Sequence, residues 1–213
     1  DHAWLRWFYV ESLAYLLLAQ RYVVPLHAAC VARDGAGILL CGESGAGKSS
    51  LSFACARAGW TYLSDDCTWL LAEPPLAESK GPIAIGKPHQ MRVREDSPLI
   101  FPELAGYATS ARPNGKLTIE VPMAAFPEIQ TALRCPIGGL VFLDRRGGGR
   151  PRCESFPSGE AIDRLLCDLP TYGPEVDAMH ERAIRSLQGL PAWCLHYESL
   201  EDGIRLLQEL FCR

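Results

Sequence analysis

Ile38-Leu39-Leu40-Cys41-Gly42-Glu43-Ser44-Gly45-Ala46-Gly47-Lys48-Ser49-Ser50-Leu51 is the stretch from which the rest of the chain is read. Four apolar residues, Ile38 to Cys41, predict a strand. The glycine-rich loop Gly42 to Gly47 follows, and Lys48 to Ala58 reads as a helix that stops at Gly59. The loop fits G-x-x-x-x-G-K-[ST] in full, between a strand and a helix, which is the context that gives the pattern meaning. Glycines let successive backbone N–H groups converge on phosphate oxygens where a Cβ would block the approach. The helix starting near Gly47 turns its positive end toward the same anion. In such a loop Gly42, Glu43, Ser44, Gly45, Ala46, Gly47, Lys48, Ser49 and Ser50 bind the nucleotide. Lys48 brings a point charge to the β- and γ-phosphates, and Ser49 a hydroxyl ligand for a metal ion. ATP and Mg²⁺ are the expected cofactors.

Asp65-Asp66 ends the next strand, Trp60 to Leu63. If that strand neighbours the one before the loop, the pair stands beside the phosphate cradle. Two adjacent carboxylates there divide the labour of phosphoryl transfer. One holds Mg²⁺ through its water shell, and the other accepts the proton of an attacking hydroxyl.

Upstream, Tyr22 to Arg33 reads as one extended run, closed by the turn Asp34-Gly35-Ala36-Gly37 and paired as a hairpin with Ile38 to Cys41. The stretch Ala3 to Ala19 is an apolar helix interrupted by Arg6 and Glu11. A helix apolar nearly all round is expected against another domain or subunit. Residues 1–21 are therefore set apart from a kinase domain over 22–213, and a homo-oligomer is expected. The opening Asp1-His2, without methionine, leaves room for sequence upstream.

Downstream, residues 73–115 are rich in Pro and Gly and read as a long functional loop or lid, with room for one short helix between Arg94 and Leu104. Lys87, Arg92, Arg94, Arg112 and Lys116 fall in or beside it as candidate clamps for phosphate or an acidic acceptor. Strands are expected over Lys116 to Val121, Ile137 to Asp144, Cys153 to Phe156 and Ala192 to Tyr197. Helices are expected over Ser158 to Leu169, Pro174 to Leu187 and Leu200 to Cys212, with the tip Arg145 to Arg150 between strands. The whole is α/β, a mixed sheet with flanking helices.

Of 213 residues 48% are apolar and 22% charged, the balance of a soluble globular domain. A net charge of −4 gives no electrostatic reason to expect nucleic acid or an anionic membrane as partner. The uncharged run Ser12 to Ala19 is far short of the roughly 20 residues that span a bilayer. Nine cysteines are scattered, with no C-x-x-C pair and no matching His spacing. They read as reduced thiols of a cytoplasmic protein.

Leu26-His27-Ala28-Ala29, the Gly42 to Ser49 loop and Ser64-Asp65-Asp66 together resemble the catalytic core of the HPr kinase/phosphorylase family and its serine-kinase-like relatives, including kinases associated with lasso-peptide biosynthesis. The match covers roughly residues 22–72. The resemblance implies a P-loop in a fold related to phosphoenolpyruvate carboxykinase, with Lys48 and Ser49 on ATP and Mg²⁺. It makes Asp65 the base and Asp66 the metal-side carboxylate, and brings His27, on the strand before the loop, close to the phosphates. The Glu-x-Arg-Gly-type segment of HPr kinases has no counterpart here. Met91-Arg92-Val93-Arg94-Glu95 is the nearest stretch, so neither HPr as substrate nor phosphorylase activity follows.

A guanine-reading N-K-x-D is absent, since the single asparagine, Asn114, precedes Gly115. A small-molecule kinase shares the loop but does not call for the Asp-Asp pair. A non-catalytic ATP-binding sensor is the remaining alternative. The acceptor hydroxyl belongs to a protein serine, a peptide serine or free serine, and residue types alone do not choose among them.

Overall fold

In the computed structural model, which describes residues 5–73, 81–112, 115–145 and 149–211, the chain folds around one long strand. That strand, β10 (Arg134–Asp144), runs parallel to β3 (Ala36–Cys41) on one side and to β12 (Ala192–His196) on the other. β11 (Arg152–Ser155) pairs antiparallel with β12. β2 (Ala29–Arg33) forms the expected hairpin with β3, and β4 (Thr61–Ser64) lies on β2. The first residues of β10 pair antiparallel with β6 (Ile83–Ile85), which continues to β5 (Thr68–Leu71) and β1 (Val23–Leu26). The result, among the described residues, is a nine-stranded mixed sheet.

The central strands are buried on both faces, which is why Ile38–Cys41 and Leu140–Leu143 are continuous apolar runs rather than alternating ones. Cys30, Leu39, Leu140 and Phe142 meet α3 (Ser158–Cys167) and α4 (Pro174–Arg185). Val31, Ile38, Leu40 and Val141 point to the opposite face, where α2 (Lys48–Arg57) and α5 (Leu200–Phe211) supply Leu51, Cys55, Leu206 and Leu207. A third core joins α2, through Phe53, Ala54 and Ala56, to Met91, Val93 and Ile119 of a separate three-stranded sheet. That sheet consists of β7 (Gln90–Arg94), β8 (Thr109–Ala111) and β9 (Leu117–Pro122) in the order β7-β9-β8.

Three expectations are corrected. Tyr22 to Arg33 is not one strand: it bends at His27–Ala28, so β1 pairs with β5 while β2 pairs with β3 and β4. The stretch 73–115 holds β6, β7 and β8, and its expected helix is two 3₁₀ turns, Ser97–Leu99 and Pro102–Leu104. Pro98 and Pro102 stand at the starts of these turns, where a fixed φ and a missing N–H cost nothing, but neither sequence continues as an α-helix. Finally β4 does not neighbour β3, because β2 lies between them.

A π-helical turn, Arg6–Glu11, leads into α1 (Ser12–Ala19). The start of the expected helix, Ala3 and Trp4, lies outside the described residues. One side of α1 is docked. The Tyr15 ring meets Trp69 edge-on with centroids 6.1 Å apart, and His180 Nε2 donates to the Ala19 carbonyl at 2.7 Å. Glu11 pairs with Lys87 at 3.3 Å. The other side exposes Tyr9, Val10, Leu13 and Leu17, so the helix is half covered rather than buried all round. No helix among the described residues is long and apolar enough to cross a membrane. The cysteines among them are all free thiols.

Candidate functional site

Two facing bends build the site. Leu26 pairs with Thr68 and Cys30 with Ser64. Between these pairs residues 27–29 and 65–67 lie opposite one another, and the ladder between the two segments opens. The buried Thr68 hydroxyl donates to the Ala28 carbonyl at 2.8 Å and stands 2.6 Å from the Ser64 hydroxyl, which holds the opening in shape. His27 and Asp66 leave the two bends side by side, with Nε2 3.4 Å from Oδ1. His27 was expected on a strand, and the bend is what turns its ring outward.

The Gly42–Ser49 loop faces this opening. Gly45 and Gly47 have φ of +91° and +95°, the left-handed region that side chains with a Cβ avoid. A Cβ on Gly45 would lie 3.1 Å from the Arg94 guanidinium, and one on Gly47 3.0 Å from both Arg145 Cδ and the Tyr197 hydroxyl. Gly47 is the N-cap of α2, and no side chain caps that end. Lys48 is buried. Its Nζ donates to the carbonyls of Gly42 at 2.6 Å and Glu43 at 3.1 Å. Burial lowers its pKa, and the nearby Asp66 carboxylate opposes that. The Ser49 hydroxyl donates to the Asp65 carbonyl at 3.3 Å, so the loop and the carboxylate pair meet even though β2 separates their strands.

The three-stranded sheet closes over the loop. Lys116 Nζ donates to Ser44 Oγ at 3.2 Å, and Arg112 Nη1 lies 3.8 Å from Asp66 Oδ2. A cavity of about 230 Å³ results, lined by Ser44, Gly45, Gly47, Lys48, Ser49 and Ser50 of the loop together with His27 and Asp66. Besides Lys48, the basic residues Arg92, Arg94, Arg112, Lys116 and Arg145 line it, against two carboxylates among the described residues, Asp66 and Asp96. This concentration of positive charge on a glycine loop gives the cavity a potential that attracts anions. Gly42, Glu43 and Ala46 line a different cavity, of about 810 Å³, on the far side of the loop toward α3.

The two aspartates sit in opposite electrostatic settings. Asp65 is 7% exposed; its Oδ1 accepts from the Tyr62 hydroxyl and its Oδ2 from the Arg92 backbone N–H, both at 3.0 Å. Burial pushes its carboxyl up to about 7, and the two hydrogen bonds oppose this without cancelling it. Asp66 is half exposed, and its pKa is lowered, first by the hydrogen bond with His27 and then by Arg112 and Lys48. Asp65 lines another cavity, of about 550 Å³, between α1 and β5; Asp66, Arg92 and Arg112 line both this one and the charged one.

Among the described residues no three His, Cys, Asp or Glu side chains converge as a metal cage. Mg²⁺ held with phosphates takes only one or two protein oxygens, and Ser49 Oγ and Asp66 in the charged cavity fit that role. Sequence reasoning missed Tyr62, Trp69 and Tyr15. A tyrosine three residues before an acidic pair carries no pattern of its own, and Tyr15 meets Trp69 only through the docking of α1.

Residues 1–75, about a third of the chain, match the family model for the SynChlorMet cassette protein ScmC. Among solved structures the chain is similar to the Hpr(Ser) kinase/phosphatase from Coxiella burnetii, with a TM-score of 0.45 and 13% identity over 88% of this chain and 96% of that one. No curated protein matches the chain.

Proposed function

We propose that this chain is an ATP-dependent kinase that transfers the γ-phosphoryl group to a serine-type hydroxyl. The observation that carries the reading is Asp66, an ionised carboxylate on the seam between a cationic glycine-loop cavity and the cavity into which the high-pKa Asp65 faces. Gly42–Ser49 acts as a P-loop: the backbone N–H groups of the loop and of the start of α2 hold the phosphates, with Ser50 beside them. Lys48 moves from the Gly42 and Glu43 carbonyls to the β- and γ-phosphates. Arg94 and Lys116 reach the same cavity from the small sheet. Mg²⁺, held by Ser49 and Asp66, supplies charge neutralisation across the phosphates when bound.

Asp65 takes the proton of the acceptor hydroxyl as its oxygen bonds to the γ-phosphorus and the bond to the bridging oxygen of ADP breaks. A base with a pKa near 7 is half ready at neutral pH, which is where general-base catalysis is most effective. Tyr62 and the Arg92 N–H fix the carboxyl's orientation, and each oxygen keeps a second lone pair for the incoming proton. His27 holds Asp66 in its ionised form. The exposed side of α1 supports self-association or an additional domain over residues 1–21.

The test is nucleotide-dependent melting followed by transfer of label from ATP. Saturating ATP with Mg²⁺ raises the melting temperature, as ligand linkage requires, and Lys48→Ala removes most of that rise. An unchanged wild-type melting temperature refutes the P-loop. Binding without transfer to any hydroxyl acceptor makes the chain a nucleotide sensor instead.

A further inference from the structure

The cavity between α1 and β5 lies beside the charged cavity of the glycine loop and shares Asp66, Arg92 and Arg112 with it. Its volume of about 550 Å³ lies within the range of roughly 300–1,000 Å³ typical of sites that enclose a drug-sized ligand, well beyond what one free amino acid fills. Most of the surface it offers is carbon, from Tyr15, Leu16, Ala14 and Trp69. The wall is held in place: Tyr15 packs edge-on against Trp69, and Glu11 reaches across to Lys87 at 3.3 Å and to Arg92 at 4.0 Å. Asp65 lines this cavity and not the charged one, while Asp66, Arg92 and Arg112 belong to both. A group seated against Trp69 therefore has its polar end beside Asp65 and its path to the phosphate pocket past Asp66.

We infer that this cavity is the acceptor site of the proposed kinase, and that it selects a serine-type hydroxyl carried in a peptide next to a bulky apolar side chain. The inference rests on the kinase reading above and adds the substrate class to it. Free serine is a poor occupant. It fills only a small part of this volume and leaves the apolar wall of Tyr15 and Trp69 uncovered. In a peptide an adjacent Leu, Phe or Trp fills the apolar part of the cavity while the hydroxyl meets Asp65. Such a segment buries apolar surface on binding, which is where pockets of this kind gain affinity.

A set of acetylated and amidated peptides with one central serine tests this, the neighbouring position being Leu, Phe, Trp, Gly, Lys or Asp. Each is incubated with Mg²⁺ and ATP labelled on the γ-phosphate, with free L-serine in parallel. Labelling is expected to be at least about tenfold greater with Leu, Phe or Trp than with Gly, Lys or Asp, the order of discrimination that hydrophobic pockets achieve. Trp69→Ala should reduce that preference by about the same factor, through KM rather than kcat, and leave the melting shift with ATP intact. Trp69→Phe, which keeps an aromatic wall, should retain most of the preference and serves if Trp69→Ala does not fold. Labelling indifferent to the neighbour, or free serine labelled as well as the best peptide, overturns the inference and leaves the kinase reading standing. A melting shift with ATP but no label in any peptide or in free serine overturns both.

Discussion

Asp65→Asn isolates the property on which the proposed chemistry depends, a carboxyl whose pKa burial raises to near neutrality. In the folded chain its pKa is raised from 3.8 to about 7, with desolvation as the first cause. A raised carboxylate pKa means that the folded state binds more protons than the unfolded one, so stability is greatest at low pH. It is lost as pH rises through the window from about 4 to about 7 and is constant above that. At about 1.4 kcal/mol for each tenfold in proton affinity, the whole window is worth roughly 4 kcal/mol, and the part between pH 5 and pH 8 roughly 2 to 3 kcal/mol. In D65N the side-chain carbonyl still accepts the Arg92 N–H and its amide donates to the Tyr62 hydroxyl, so the hydrogen-bond geometry survives without the titration. Urea unfolding of wild type and D65N at several pH values gives the difference directly, since every other group titrates in both proteins. The stability of D65N relative to wild type should grow by roughly 2 to 3 kcal/mol from pH 5 to pH 8. A difference constant to within about 0.5 kcal/mol across that range means that Asp65 ionises like an exposed aspartate, and the burial argument for a base near neutrality is wrong. Transfer should follow the same group: the wild-type rate rises with pH and levels off above about 7. D65N should lose the rise and about 10²- to 10⁴-fold in rate while still binding ATP.

Asp66→Asn removes the carboxylate beside Ser49 and His27, and should raise the Mg²⁺ concentration for half-maximal transfer by about tenfold or more, with the pH profile of Asp65 retained. An unaltered Mg²⁺ requirement removes Asp66 from the metal side. Light scattering reads the exposed side of α1, where Leu13 and Leu17 are 60% and 57% exposed. Self-association is expected in the wild type and a monomer in L13K/L17K, with the nucleotide-induced melting shift kept. A monomeric wild type refutes self-association through this face.

The glycine-rich loop, the strand before it and the helix after it were all legible from Ile38 to Gly59. Each depends on neighbours within a turn or two: glycines where φ is positive, an apolar run for a strand buried on both faces, a glycine where the helix stops. The hairpin of β2 and β3 was legible for the same reason, from Asp34-Gly35 between two apolar runs. The adjacency of Asp65-Asp66 to the loop was also anticipated, though by the wrong route. It comes from opposed bends in the strand pairs β1–β5 and β2–β4, with Ser49 bonded to the Asp65 carbonyl, and not from neighbouring strands.

Tertiary structure decided the rest. Arg92, Arg94, Arg112 and Lys116 were candidate clamps in sequence, but no local pattern says which of them meets the loop. What brings Arg94 to Gly45 and Lys116 to Ser44 is the burial of Met91, Val93 and Ile119 against Phe53 of α2, which docks the small sheet on that helix. The different settings of Asp65 and Asp66 have the same kind of origin. Two identical side chains, adjacent in the chain, leave a bend in different directions, one into contact with Tyr62 and the Arg92 backbone, the other toward His27 and Arg112. A local pattern specifies how a segment bends, because backbone sterics act between near neighbours. Desolvation and charge are set by whatever the fold brings within a few ångströms, and for this pair those groups lie as far along the chain as residues 27, 92 and 112.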